Sequence, residues 1–109
     1  MAGKWERAQL LFDTKDYRAA VPLLLEVVEE VPELVAPRLL LARTYYHSAQ
    51  LRRAEEQLRA VIERDPVEFY AHLMLGRTLE RQGRRDEAAP WLRTAAAMSG
   101  SGSGFDEDD

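Results

Sequence analysis

Apolar residues recur along six stretches of the chain with the 3.6-residue period of amphipathic α-helices. This pattern predicts helices over residues 4–13, 17–30, 36–48, 51–64, 68–82 and 85–98. Short turns separate the helices, and connections of this length join neighbouring helices as antiparallel hairpins. Asp16 stands just before the second helix, where its carboxylate can cap the free backbone amides of the first turn. The sequence therefore predicts an all-α chain.

Three prolines fall inside the predicted helices. Pro37 lies in a first turn, where the missing N–H has no helical partner to lose. Pro22 and Pro90 lie deeper and occupy equivalent positions in two helices, where proline removes a hydrogen bond and bends the axis. We therefore expect a repeated bend at these two sites and no helix boundary.

The helical pattern repeats every 34 residues without a gap, over residues 1–34, 35–68 and 69–102. Small and branched apolar residues occur at the same position within each 34-residue segment. These residues are Ala20, Ala54 and Ala88; Leu24, Leu58 and Leu92; and Val27, Val61 and Ala95. Self-similarity at this period indicates an α-solenoid, in which each hairpin buries its apolar face against its neighbours. Such stacks are binding scaffolds far more often than enzymes.

The repeated residues resemble the tetratricopeptide repeat (TPR) pattern. The matching positions are Ala8, Asp16, Tyr17, Ala20, Leu24 and Pro32; then Leu41, Ala42, Tyr45, Ala54, Leu58 and Pro66; then Leu75, Gly76, Ala88, Leu92 and Ala95. The resemblance implies a right-handed superhelix of three hairpins over residues 1–98, followed by a Gly/Ser linker and acidic tail over 99–109. Because 13 of 15 basic residues are arginine and asparagine is absent, the chain is similar to small TPR proteins of high-GC bacteria.

Little in the sequence favours catalysis, a metal or a cofactor. The chain has no cysteine, and His47 and His72 are its only histidines. Neither has a nucleophile or a second metal ligand at a recognisable spacing. His72 takes the place of a tryptophan in the TPR pattern, so we interpret it as a packing residue. We expect no enzymatic activity.

The N-terminal residues are charged and lack the apolar core of a signal peptide, and no apolar run approaches membrane-spanning length. A cytoplasmic location without membrane contact is therefore expected. The net charge of −4 comes from Asp106, Glu107, Asp108 and Asp109, because the rest of the chain has equal numbers of acidic and basic residues. Within the repeats, the charge changes from acidic in the first segment to basic in the third.

The TPR resemblance implies a concave groove lined by the first helices of successive repeats. Its expected peptide-binding residues are Trp5, Gln9, Phe12, Leu39, Arg43, Tyr46, His47, Tyr70, Leu73, Arg77 and Arg81, with Asp13 and Glu80 beside them. Arg43 and Arg77 share one offset and should lie side by side, so that they could hold a carboxylate. These features predict a protein or peptide partner with acidic character. The alternative is that the arginines pair with local acids and the aromatic rings merely pack between hairpins.

Some TPR domains clamp a C-terminal carboxylate with lysine and asparagine on the first inner helix. Trp5 and Gln9 hold those offsets here, so the sequence does not reproduce the clamp. A nucleic-acid adaptor is a further alternative, since Arg52–Arg53 and Arg84–Arg85 should share one rim of the stack. Acidic residues follow both pairs and the repeat body is neutral, so we do not expect nucleic-acid binding.

The last helix and the segment that follows it suggest further contacts. The last helix has no successor to cover it, which makes Trp91 and Leu92 candidates for self-association into a weak homo-oligomer. The Gly/Ser segment and Phe105–Asp109 permit three interpretations. The tail is a solubilising or appended sequence, a ligand of the groove in the same or a neighbouring molecule, or a regulator that competes with partners.

Overall fold

The computed structural model describes residues 3–100 as a helical stack. Its helices are α1 (Lys4–Asp13), α2 (Tyr17–Glu30), α3 (Val35–His47), α4 (Leu51–Arg64), α5 (Phe69–Arg81) and α6 (Arg85–Met98). No strand occurs between residues 3 and 100. The predicted helix ends agree with these bounds to within one residue, and the all-α solenoid is confirmed. The linker and tail expected after α6 lie outside the described residues, apart from Ser99 and Gly100.

Each helix packs mainly against the helices before and after it in the chain, and α3 also touches α5. The described part of the chain is consequently elongated, with extents of 42 × 26 × 25 Å. Residues of α1, α3 and α5 line one groove, so these three helices together form one face of the stack. That face carries the candidate site.

The two helices of each hairpin are joined by a turn of the same geometry. One residue in each turn has a positive φ: Lys15 (66°), Ala49 (63°) and Gly83 (79°). The next backbone N–H donates to the carbonyl oxygen five residues earlier, at 2.8, 2.8 and 2.9 Å in chain order. This is the hydrogen-bond pattern of a Schellman turn, which closes the end of the first helix. Asp16 caps α2 as predicted, accepting from the Ala19 N–H at 3.4 Å.

The columns of small residues hold the helices together. Ala20, Ala54 and Ala88 have no exposed surface, so the backbones of paired helices can approach closely at these positions. The buried residues form two clusters, one between the first and second repeats and one between the second and third. Tyr46 packs against both clusters, and it therefore sits where the two interfaces meet.

Pro22 and Pro90 lie inside α2 and α6, and both helices continue past them. Both prolines are exposed, so the rings lie away from the helix contacts. The expectation that they do not mark helix boundaries is confirmed. Pro37 is buried within the first turn of α3, also as expected.

Candidate functional site: the groove along the first helices

An open groove of about 330 Å³ runs across the face made by α1, α3 and α5. Its lining residues are Trp5, Gln9, Phe12, Asp13, Ala36, Leu39, Leu40, Arg43 and Tyr70. Six of the eleven residues expected to bind a peptide are therefore brought together here. The groove mixes aromatic and aliphatic surface with one cationic group, so it can accept a segment that carries both apolar and acidic side chains.

Arg43 occupies the centre of the groove and lies between two aromatic rings. Its guanidinium carbon is 4.7 Å from the ring centroid of Phe12 and 5.6 Å from that of Tyr70. The rings come from the flanking repeats, and each attracts the cation through its π face. The Nε atom of Arg43 is buried and has no hydrogen-bond partner among residues 3–100. With its faces next to rings, the guanidinium offers its donors at the edges of the plane.

A second aromatic group borders the groove at the C-terminal end of α3. His47 stacks on Tyr17 at a centroid distance of 5.6 Å and meets Phe12 edge-on at 5.7 Å. Partial burial lowers the pKa of His47, and the nearby charges of Arg43, Arg81 and Lys15 lower it further. The imidazole is thus neutral at pH 7, and the positive charge at this end comes from the surrounding arginines and lysine.

Arg81 is engaged with α3. Its guanidinium lies 4.6 Å from the ring centroid of Tyr46 and donates a hydrogen bond of 3.0 Å to the Tyr46 carbonyl oxygen. Leu73 and Arg77 are half-buried on α5 and are not part of the groove lining. The structure therefore divides the expected peptide-binding residues into a groove around Arg43 and an aromatic–arginine group around Tyr46 and His47.

The alternative in which the groove arginines are neutralised by local acids does not describe Arg43. Within residues 3–100 it makes no ion pair, and its contacts are aromatic. Asp13 and Glu80 are exposed. Of the described residues, Arg43 is the one basic residue in the groove lining, and Asp13 is the one acidic residue there.

A charged group that the sequence analysis did not predict lies between α4 and the turn that joins α5 to α6. Glu55 is only 8% exposed. It accepts hydrogen bonds from Arg84 (2.7 Å), Arg59 (3.0 Å) and Gln82 (3.1 Å). These contacts tie α4 to the turn before α6. The signal in the sequence was weak, because Arg84 lies 29 residues beyond its partner.

Burial alone raises the pKa of Glu55, but hydrogen bonds from Arg84, Gln82 and Arg59 outweigh it and lower the pKa to about 2. Arg84 also pairs with Glu87 at 2.8 Å. Arg84, one of the four arginines considered for nucleic-acid phosphates, is therefore engaged within the protein. A network of this kind contributes to stability rather than recognition.

Trp91 and Leu92, the residues expected to mediate self-association, are half-buried and pack on the preceding helices. The Trp91 ring lies 5.6 Å from the His72 ring and 5.7 Å from the Arg59 guanidinium. Leu92 packs directly on Gly76 of α5. These contacts lie on the side of α6 that packs against α4 and α5, and a role of Trp91 and Leu92 in self-association stays a prediction.

His72 is buried, and its Nε2 lies 2.8 Å from the Pro66 carbonyl oxygen. This position agrees with its interpretation as a packing residue.

No group of three or more potential metal ligands occurs among residues 3–100. Over the same residues, none of the helices combines the length and apolar character required to cross a membrane.

Several solved structures share this architecture. MamA residues 41 to the end from Desulfovibrio magneticus RS-1 match at 25% identity and a TM-score of 0.85, covering 92% of this chain and 56% of that one. MamA from MSR-1 matches at 22% identity and a TM-score of 0.84, covering 88% and 55%. MamA from AMB-1 matches at 24% identity and a TM-score of 0.81, covering 84% and 54%. The chain thus spans just over half the length of these proteins.

A search of curated proteins finds no match to the chain. The sequence profile described as the tetratricopeptide repeat matches residues 39–103, which is more than half of the chain. Together with the six-helix stack, this match supports a role as a scaffold for protein–protein interaction, in a family that is generally not enzymatic. The chain belongs to the tetratricopeptide repeat family.

Proposed function

We propose that this chain is a non-catalytic interaction module that binds an acidic peptide or helical segment of a partner protein in the groove between α1, α3 and α5. The observation that carries the proposal is the position of Arg43. Arg43 lines the open groove, where its guanidinium lies near the rings of Phe12 and Tyr70.

A carboxylate is the acceptor that best complements this arrangement. Hydrogen bonds between ionised partners are roughly twice as strong as neutral ones, and a guanidinium edge can hold two carboxylate oxygens at once. The rings on either side fix the guanidinium plane before binding, so little side-chain freedom is lost. Arg43 thereby selects for an acidic side chain.

The rest of the groove favours an apolar neighbour next to that acid. Trp5 and Leu39 are half-buried and line the groove beside Arg43. Aromatic and aliphatic side chains in a ligand would cover them and exclude water from the ion pair, which strengthens it. We therefore expect the preferred segment to combine at least one acid with a large apolar residue.

The proposal is tested with two fluorescent hexapeptides. The acidic probe has the sequence of residues 104–109, and the neutral probe has Asn or Gln at its four acidic positions. We expect the full chain to bind the acidic probe at low salt and to bind it less tightly as salt screens the charges over about 10 Å at 0.1 M. Because the tail of the chain has the sequence of the probe, the arginine is tested in a full-length background with Asp106→Asn, Glu107→Gln, Asp108→Asn and Asp109→Asn. In that background Arg43→Gln should weaken binding at least tenfold, since a charged hydrogen-bonded pair contributes about 1.5–3 kcal/mol.

Arg93→Gln is the matched control, because Arg93 is an exposed arginine on α6, away from the groove. It removes the same charge and should leave the affinity within about twofold. In the neutral-tail background, equal affinity of the acidic probe with and without Arg43→Gln would contradict the proposal. Equal binding of the acidic and neutral probes would contradict its acidic specificity.

A further inference from the structure

We infer that the chain carries its own groove ligand: residues Phe105–Asp109 bind intramolecularly beside Arg43 and compete with partner segments. This inference rests on the proposed function, since it requires the groove to accept acidic segments. It adds a regulatory property, because a partner must displace the tail before it can bind.

The first argument is chemical complementarity. Phe105 is followed by Asp106, Glu107, Asp108 and Asp109, so a large apolar residue and four acids lie together. The groove presents the same two features in complementary form, an apolar wall and the guanidinium of Arg43. The remainder of the chain has 15 acidic residues for 15 basic ones, which makes this segment the main source of net negative charge.

The second argument is the direction in which α6 runs. Leu92 packs on Gly76, which fixes the register of the last hairpin. Because the helices are antiparallel, the six residues after Leu92 in α6 run beside the six residues before Gly76 in α5. Met98 therefore lies level with Tyr70. Tyr70 lines the groove, and its ring is 5.6 Å from the Arg43 guanidinium. The chain thus leaves α6 at the end of the hairpin that carries the groove.

The third argument is distance. Packed helices are about 8–10 Å apart, so the path from the end of α6 past α5 to Arg43 is on the order of 15 Å. Five residue steps separate Gly100 from Phe105, and a fully extended chain covers about 17 Å over five steps. The acids beyond Phe105 can reach further still. Covalent geometry therefore permits the segment to reach the groove of its own molecule.

Tethering makes even a weak ligand effective. A short connection gives an effective concentration in the millimolar range. If the free segment binds with a Kd of about 0.1 mM, the tethered segment should weaken competing ligands roughly tenfold. Removing the negative charges of the tail should therefore increase the affinity of the chain for an external acidic ligand.

The experiment compares the full chain with a full-length variant in which the tail is neutralised by Asp106→Asn, Glu107→Gln, Asp108→Asn and Asp109→Asn. We expect the acidic probe to bind the neutral-tail variant about tenfold more tightly than wild type. Phe105→Ala alone should give a smaller increase. Adding Arg43→Gln to the neutral-tail variant should abolish that gain, which locates the competition in the groove.

The outcomes separate this inference from the proposed function. Equal affinity of wild type and the neutral-tail variant would overturn the tail inference and leave acidic recognition intact. No binding to either chain would overturn acidic recognition itself. If sedimentation velocity shows that wild type, but not the neutral-tail variant, forms dimers, then the segment binds a neighbouring molecule and the intramolecular inference is wrong.

Discussion

Leu92 occupies the space that a side chain on Gly76 would need. A Cβ placed on Gly76 would lie 2.4 Å from Leu92 Cδ2 and 2.5 Å from Leu92 Cγ. Real carbon atoms do not approach this closely, so the two helices of the last hairpin depend on glycine at this position. The contact also fixes how α5 and α6 are aligned along their length.

Gly76→Ala should therefore destabilise the protein although alanine favours helices by about 1 kcal/mol over glycine. Overpacking in a well-packed core typically costs about 1–3 kcal/mol, and here it also separates α5 from α6. We expect a lower midpoint in urea denaturation. In a Leu92→Ala background the same change should be neutral or stabilising, and a loss of equal size there would contradict the explanation.

Thr44 and Thr78 occupy the same position in consecutive repeats and have no exposed surface. Thr44 Oγ1 donates to the Leu40 carbonyl oxygen at 2.8 Å, whereas the buried Thr78 Oγ1 has no hydrogen-bond partner among residues 3–100. Replacing an unsatisfied hydroxyl by a methyl group removes a desolvation penalty. We expect Thr78→Val to raise the free energy of unfolding by about 1 kcal/mol.

Thr44→Val serves as the comparison for that prediction. It has the same shape change but removes a hydrogen bond, so it should be neutral or lower the free energy of unfolding by about 1 kcal/mol. Chemical denaturation of both variants measures the difference. Two changes of the same sign and size would show that hydrogen bonding does not distinguish these sites.

Glu55 should give the protein a specific sensitivity to acid. Its pKa is about 2 in the folded chain and about 4.3 in an unfolded one. Because the folded pKa is depressed, the stabilisation is fully present above about pH 4.3 and is lost as the pH falls towards 2. The loss amounts to at most about 3 kcal/mol.

Glu55→Gln should lower the free energy of unfolding by about 2 kcal/mol at pH 7, since Arg84 and Arg59 lose a charged acceptor. It should also flatten the acid-induced decline between pH 4.3 and 2 in a series of urea titrations. Glu56→Gln is the control, because Glu56 is exposed and its substitution should change stability by less than about 0.5 kcal/mol. A wild-type pH profile retained in Glu55→Gln would assign the acid sensitivity elsewhere.

His47 provides a spectroscopic reporter of the groove. Partial burial lowers its pKa, and the positive charges of Arg43, Arg81 and Lys15 contribute in the same direction. A bound carboxylate would offset those charges, so the acidic probe should raise the pKa of His47. An NMR titration of its imidazole with and without probe measures the shift, and the neutral probe is the control. A His47 pKa that does not respond to saturating acidic probe would place the ligand away from this end.

The helices could be predicted closely because the signal for them is local. Periodicity, the Asp16 cap and the 34-residue repeat each depend on residues near one another in the chain. The repeat also located most of the groove, since equal offsets on successive first helices face the same side. Residues as distant as Trp5 and Tyr70 were therefore assigned to one surface without any pairwise distance.

Side-chain partners were harder to predict. The contacts of Arg43 with the rings of Phe12 and Tyr70 were not predicted. The position of a residue within the repeat does not give the direction of a long side chain. The buried Glu55 was missed because acids are usually exposed and its arginine comes from another repeat.

The three hairpin turns carry different conformational penalties. Lys15 and Ala49 adopt positive φ, which is unfavourable for residues with a Cβ, whereas Gly83 adopts it freely. The third hairpin therefore contains the relaxed version of a turn that the first two hold under strain. The third hairpin is therefore the most favourable unit for lengthening the chain. An array built from copies of the third turn should gain stability with each added hairpin. Evolution by duplication would favour the same turn.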